Sequence, residues 1–277
     1  MMIHQFEINQ FLREGYLIAN GYFSPAEIEL LNIETERLME IESPGKVMEN
    51  GDHGVRSING PHFISPIMDK VSKSPRLLHA AQLLLGDDSL YIHQYKINIK
   101  HAFIGDVWEW HTDYWFWRNE DGMPTANALT AVIFLDDIND FNGPMFLIPG
   151  SQKTEWGEND HFMPYGDLTG GDNWQLTTAS KLKYQFSKTQ LRATIQQNSL
   201  VSAKGSKGTV LFFHSNLLHC SGLNLSPWNR KAIFISYNLV TNALNPIDSP
   251  RPNFLASRDF APLTAVDDRE FLELNSF

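Results

Sequence analysis

The chain has 277 residues, 42% of them hydrophobic and 12% aromatic, which supports a substantial core and argues against a disordered protein. With 22 Lys and Arg against 32 Asp and Glu the formal charge is -10, and no basic block offers a footprint to a phosphate backbone, so nucleic acid is excluded as a natural partner. No apolar run reaches the roughly 18 residues of a membrane span, the start MMIHQFEINQFLREGY lacks a signal-peptide core, and Cys220 alone permits neither a disulfide nor a multi-cysteine metal site, so a soluble, cytoplasmic protein is expected.

Ser24-Pro25-Ala26-Glu27 supplies a cap, a first-turn proline and a capping-box glutamate, which predicts a helix burying Ile28, Leu31 and Leu38. Ser74-Pro75 opens a second helix through LLHAAQLLL, and Gly86 ends it. From residue 90 the period changes to two. The run LYIHQYKINI predicts a strand with Tyr91, His93, Tyr95, Ile97 and Ile99 facing helices, and Ile92, Gln94, Lys96 and Asn98 facing a polar interior. Further strands are expected at 129–135, 144–149, 209–213 and 232–238, with turn material such as Asp140-Phe141-Asn142-Gly143-Pro144 between them. This is the pattern of a mainly β sandwich or small barrel with flanking helices. Residues 151–208 are polar and glycine-rich, with one helix capped by Ser187 and Gln190; they are too long for a structureless connection and read as an insertion or lid within a single domain spanning 1–277.

The stretch WHTDYWFW, residues 110–117, sets an imidazole and a carboxylate two residues apart among aromatic rings. On a strand, His111 and Asp113 would share one face. A third metal ligand is available from His214 or His219 in FFHSNLLHCSGLNLSPWNRK. Two histidines and a carboxylate on one face of an octahedron leave three positions open, an arrangement suited to non-haem Fe(II) that must take a cosubstrate and O2 together. Aromatic neighbours would then exclude water from a site that forms a reactive oxidant. An arginine on a strand after the last histidine, the relation in which His219 and Arg230 stand, can grip the distal carboxylate of 2-oxoglutarate in bidentate fashion.

The ordered strings YIHQYKINIK, WEWHTDYWFWRNEDGMP, FNGPMFLIPGSQ and HCSGLNLSPWNRKAIFISYN resemble the phytanoyl-CoA dioxygenase family of Fe(II)/2-oxoglutarate oxygenases, over residues 5 to 263. The resemblance implies a double-stranded β-helix, or jelly-roll, core. It places the metal ligands on His111, Asp113 and His219, and the 2-oxoglutarate contacts on Arg230, Ser221, Gln94 and Asn98. Strand parity agrees in setting His214, five residues from His219, on the opposite face. An aspartate at 113, where related halogenases carry a small residue, implies hydroxylation. Within the family the chain looks most like ectoine hydroxylases and free leucine 5-hydroxylases. Trp117 matches an active-site tryptophan of the former, whereas Lys96, Trp115-Phe116, the Trp-Arg pair at 117 and 118, and SPRPNFLASRDFAPL look closer to the latter.

A small free amino acid with an aliphatic side chain is the substrate this implies. It needs a cation for its carboxylate, with Lys96 and Arg56 as first candidates and Arg118 and Arg251 behind them, and an apolar wall, for which Trp115, Phe116 and Trp117 are candidates. The alternatives are an ectoine-type hydroxylase, a tailoring hydroxylase of a carrier-bound or peptide-like natural product, a zinc hydrolase on the same ligands, and a cupin-like metal-binding module without redox chemistry.

Overall fold

The structure, a computed structural model, describes residues 3–49, 53–162 and 182–267. In chain order its elements are α1 (Gln5–Glu14), β1 (Tyr16–Ala19), α2 (Pro25–Glu40), β2 (Lys46–Met48), β3 (Val55–Asn59), α3 (Pro66–Ser72), α4 (Pro75–Leu85) and β4 (Leu90–Lys100). After them come β5 (Trp108–His111), α5 (Asp113–Phe116), a π-turn over Trp117–Asp121, β6 (Ala128–Phe134), β7 (Met145–Leu147), β8 (His161–Phe162) and β9 (Gln185–Phe186). The chain continues through α6 (Lys188–Gln197), β10 (Val201–Ala203), β11 (Val210–His214), β12 (His219–Ser221) and β13 (Arg230–Leu239). No helix among the described residues is long and apolar enough to cross a membrane.

The helices start and stop where local chemistry dictates. Ser24 accepts from the Glu27 N–H while Glu27 reaches back to the Ser24 N–H, so the expected capping box is formed. At the end of α4, Gly86 takes φ 73° and donates to Gln82 O at 2.8 Å, a left-handed cap open to glycine at no steric cost. Ser187 accepts from the Gln190 N–H at the start of α6.

Seven strands form one antiparallel sheet in the order β1-β11-β6-β13-β4-β3-β2, and four form a second in the order β10-β7-β12-β5. Alternation sorts the side chains of the large sheet. Leu129, Ala131, Ile133, Phe212, Ile233 and Ile235 join Leu31, Leu38, Leu77 and Leu84 in a core between sheet and helices. Val132, Phe134, Leu211, Phe213 and Phe234 point the other way and meet Met145 and Leu147 of the small sheet. Two facing sheets with helices on one outer side make the expected jelly roll. At β10 the segment read as an insertion returns to this core, since Val201–Ala203 pairs with Met145–Leu147; residues 163–181 of that segment lie outside the described residues.

The strand β4 departs from simple alternation. Gln94 pairs with Ser236 but Ile92 pairs with Tyr237, so β4 carries one extra residue, His93, as a β-bulge. The expected faces hold from Gln94 to Ile99 and fail before it. Ile92 joins Tyr95, Ile97 and Ile99 on the helix side, whereas His93 turns its ring against Trp117, 4.7 Å away.

Candidate active site

The small sheet brings the two histidines together. Strand β12 runs antiparallel to β5 with His219 directly opposite His111, and their ring centroids are 4.2 Å apart. Asp113 arrives differently from the sequence expectation: the strand stops at His111, and Asp113 opens α5 instead of sharing a strand face. Thr112 causes the break, because its side chain accepts from the Trp115 N–H as a helix N-cap. A carboxylate in a first helical turn is favoured by the amide dipoles, and from there its Oδ1 lies 3.7 Å from His111 Nε2 and 3.9 Å from His219 Nε2.

Protons on the two rings are set by their neighbours. His111 Nδ1 lies 2.7 Å from Glu109 O, and His219 Nδ1 lies 2.9 Å from Leu217 O. A carbonyl can only accept, so each Nδ1 carries the proton and each Nε2 presents a lone pair to the shared space. Burial lowers the His219 pKa to about 4. Burial alone would raise the Asp113 carboxyl, but the adjacent His111, His219 and Lys96 hold it well below the usual range. These three are the group of His, Cys, Asp and Glu side chains among the described residues that could hold a metal ion.

On one side of this cluster lies a cavity reached by Arg56, Lys96, Asn98, Lys100, Ser221 and Arg230. Arg230, 3% exposed, donates from Nη2 to Gly143 O at 2.6 Å, and its Nε finds no partner among the described residues. Burial pulls its pKa down to about 10. The Arg56 guanidinium lies 4.6 Å from the Trp108 ring centroid, and its buried Nη2 is likewise without a partner among the described residues. Lys100 donates to Asp106 O and Gly222 O, and burial, followed by the charges of Arg230 and Arg56, pushes its pKa to about 6. Buried donors of one sign without partners form a cradle for an anion.

A second cavity opens on the other side, between Gln94, Phe116, Trp117, Leu182, Arg251 and the same His111–Asp113 edge. Lys96 and Asn98 reach both cavities. Gln94 lines this second cavity and not the one that Arg230 reaches, and its Nε2 donates to Leu255 O. Arg251 is held by Asp121 through two bonds of 2.8 and 2.6 Å, and His93 Nε2 lies 3.3 Å from the same carboxylate.

Two expected pocket residues are not brought here. Trp115 turns away to pack with Ile148, Trp156, Phe186 and Leu218 and stacks on His161 at 3.8 Å, because its place in α5 points it opposite to Phe116. Arg118 is exposed, 5.8 Å from the Trp115 ring centroid. His214 also lies outside the group; its Nδ1 accepts from the Asn216 N–H. Sequence reading missed Asp121, Leu182, Lys100 and the place of His93. Asp121 in the string NEDG had no periodic partner to mark it, and the bulge hid His93.

Comparison with known proteins agrees with this geometry. The phytanoyl-CoA dioxygenase (PhyH) family pattern matches residues 11–232. An ectoine dioxygenase of Bordetella bronchiseptica is 32% identical over 275 residues, covering 96% of this chain and 87% of its own. An L-proline trans-4-hydroxylase of Streptomyces griseoviridis is 34% identical over 258 residues, covering 92% and 93%. Among solved structures, EctD from S. alaskensis with 2-oxoglutarate and 5-hydroxyectoine superposes with a TM-score of 0.80 at 30% identity, covering 96% of this chain and 88% of that one. With the match extending over most of the chain and the jelly roll carrying a His-Asp-His group between two cavities, this protein belongs to the phytanoyl-CoA dioxygenase family.

Proposed function

We propose that this protein, an iron- and 2-oxoglutarate-dependent hydroxylase of that family, acts on a small free amino acid, with leucine-like aliphatic side chains favoured. The observation that carries the substrate reading is the second cavity: cations at one wall, aromatic and aliphatic side chains at another, both against the His111–Asp113 edge. The donor set fits the metal. Two bare Nε2 atoms and a carboxylate held ionised are what Fe(II) takes, and the orphaned donors of Arg230 and Arg56 fit a dicarboxylate.

Bound iron and 2-oxoglutarate supply the O2 activation that places one oxygen atom in an unactivated C–H bond, with release of succinate and CO2. In this reading His111, Asp113 and His219 hold the metal by one face and leave the others open. Arg230 and Ser221 grip the far carboxylate of the cosubstrate, and Asn98 and Arg56 line its path. Lys96 and Arg251 receive the substrate carboxylate. Asp121 keeps the Arg251 guanidinium in one orientation, so little side-chain freedom is lost on binding. Asn59 and Gln94 offer acceptors to the ammonium. Phe116, Trp117 and Leu182 take the aliphatic part and keep water from the reacting carbon.

The relatives named above support a second substrate reading, a cyclic compound such as ectoine or proline, with the same charges and a more compact apolar part. Succinate release by the Fe(II)-loaded protein across free L-amino acids, proline and ectoine, with product mass measured in parallel, separates the two. Substrate-dependent succinate with a gain of one oxygen on leucine or a similar amino acid supports the first. The same gain confined to ectoine or proline supports the second, and no stimulation by any of them turns attention to a tethered substrate.

A further inference from the structure

The bulge in β4 buries the His93 side chain completely and sets it against both ends of the π-turn Trp117–Asp121. The ring meets the Trp117 indole edge to face, with centroids 4.7 Å apart and planes at 69°, while Nε2 lies 3.3 Å from Asp121 Oδ2. Trp117 is a wall of the second cavity, and Asp121 holds Arg251, which lines the same cavity. The backbone beside the ring also seats the segment that carries Arg251. The Ser257 N–H donates to His93 O at 2.8 Å, and Gln94 Nε2 donates to Leu255 O at 2.9 Å. The apolar wall and the cation of the cavity therefore meet at one buried imidazole.

A histidine needs a reason in such a place. Neither ring nitrogen has a well-directed hydrogen bond among the described residues, and a buried polar atom left in that state lowers stability. A phenyl ring would fill the space against Trp117 without that loss. What it lacks is a donor for Asp121. That carboxylate is itself fully buried, takes two bonds from Arg251 and has lone pairs to spare. Burial keeps the His93 ring from charging, against the pull of Asp121, so the ring has one N–H to give. With a carboxylate beside Nε2 that can only accept, the proton belongs there.

We propose that His93 is a positioning residue of the second cavity: its Nε2–H is aimed at Asp121 and its ring edge fixes Trp117, so that the cation for the substrate carboxylate and the wall for its apolar part stand at a set separation. This rests on the reading of that cavity as the amino-acid site. His93 lines neither cavity, so it acts through its two neighbours. The separation matters because a molecule tethered by its carboxylate at Arg251 reaches only as far as the wall allows. It therefore decides which carbon faces the His111–Asp113 edge, and how much of the 2-oxoglutarate consumed ends in hydroxylated product.

Two substitutions separate the donor from the ring. His93→Phe keeps an aromatic edge against Trp117 and removes the donor, whereas His93→Gln keeps a donor at the reach of Nε2 and removes the ring. Circular dichroism with thermal melts checks that both fold. In the full chain carrying isotope-labelled histidine and loaded with diamagnetic Zn(II), the His93 ring signals, assigned by their loss in both variants, should show the Nε2–H tautomer. The Nδ1–H tautomer would overturn the proposal. With whichever of leucine, proline or ectoine stimulates succinate release, His93→Phe should raise the substrate KM about tenfold and form less product per succinate, with the 2-oxoglutarate KM within about twofold of wild type, and His93→Gln should bring the substrate KM back to within about threefold. A folded His93→Phe with wild-type substrate KM and product yield would overturn the proposal, and so would a His93→Gln as impaired in KM as His93→Phe. The tautomer is read without substrate, so a wild type that none of these compounds stimulates removes the amino-acid reading, and the spectrum still decides for or against His93.

Discussion

The two sheets do different work. The large sheet is long-stranded, with β4 and β13 paired from Leu90–Leu239 to Lys100–Arg230, and one face is sealed by helices. The small sheet has strands of three or four residues, yet it sets His111 opposite His219. Short strands cannot hold a ligand geometry by themselves. They hold it here because Phe213, Phe234, Met145 and Leu147 pack them on the large sheet, and because each imidazole is pinned by a backbone carbonyl. The lesson is that stability and chemistry are divided: substitutions in the small sheet should remove function at little cost in folding, and those in the supporting layers should do the reverse.

The largest effect expected is at His219. His219→Ala should bring succinate formation to background and abolish Fe(II)-dependent absorbance with 2-oxoglutarate under anaerobic conditions, while His214→Ala keeps measurable turnover; the opposite pattern would end the ligand assignment. Next comes Arg230→Leu, which in the proposed reading removes one partner of a buried charge pair with the cosubstrate and should weaken 2-oxoglutarate binding by about 2–5 kcal/mol in titration calorimetry.

Arg251 sharpens the comparison, since it pairs with buried Asp121 and, in the proposed reading, also receives the substrate carboxylate. Arg251→Leu leaves Asp121 buried without its main counter-charge and should cost about 3–5 kcal/mol in chemical denaturation. Adding Asp121→Leu should recover much of that stability without restoring the substrate KM; recovery of both would reduce Arg251 to a structural role. Trp115→Ala is the converse case. Losing a buried indole should cost about 3–5 kcal/mol while the 2-oxoglutarate KM stays near wild type.

The smallest effect is with pH. His62 stacks on Tyr95 with ring centroids 5.1 Å apart, and burial lowers its pKa to about 4 from an ordinary 6.5. Between those values the unfolded chain takes a proton that the folded one refuses, so stability should fall as pH drops from 6.5 toward 4. Burial lowers His214 to about 4 with the same sign. Glu27 and Glu34, whose carboxyls are lowered from 4.5 by Arg76, Arg37 and serine contacts against their own burial, add their losses only at lower pH. Urea midpoints between pH 6.5 and 4.5 should therefore slope less for His62→Asn than for wild type.

Much of this was legible from the sequence. The helix caps at Ser24, Ser187 and Gly86, the inward set Gln94, Lys96 and Asn98, and the fold class all follow from local chemistry and period. Three things were not. The Thr112 cap broke a strand that the His-x-Asp spacing suggested, because capping and alternation compete for the same residues. Trp115, Phe116 and Trp117 looked alike as an aromatic run, but a helical turn sends Trp115 to a different core from its two neighbours. Asp121 and Arg251, 130 residues apart, form a pair that no local pattern encodes.

The bulge at His93 works as a phase shifter. It lets one strand be in register with the helices at Ile92 and again at Tyr95, although those positions are an odd number apart. The β4 sequence is therefore two messages in opposite phase joined at one residue. A deletion of His93 would make Ile92 and Gln94 adjacent on opposite faces and leave a regular ladder against Ser236 and Tyr237, so both halves would keep their present faces and what would be lost is the ring that lies against Trp117. Removing it should accordingly be felt at Trp117 and Asp121, which its ring faces, more than in the pairing of the strand, whereas an added residue in either half of β4 would invert the faces of that half.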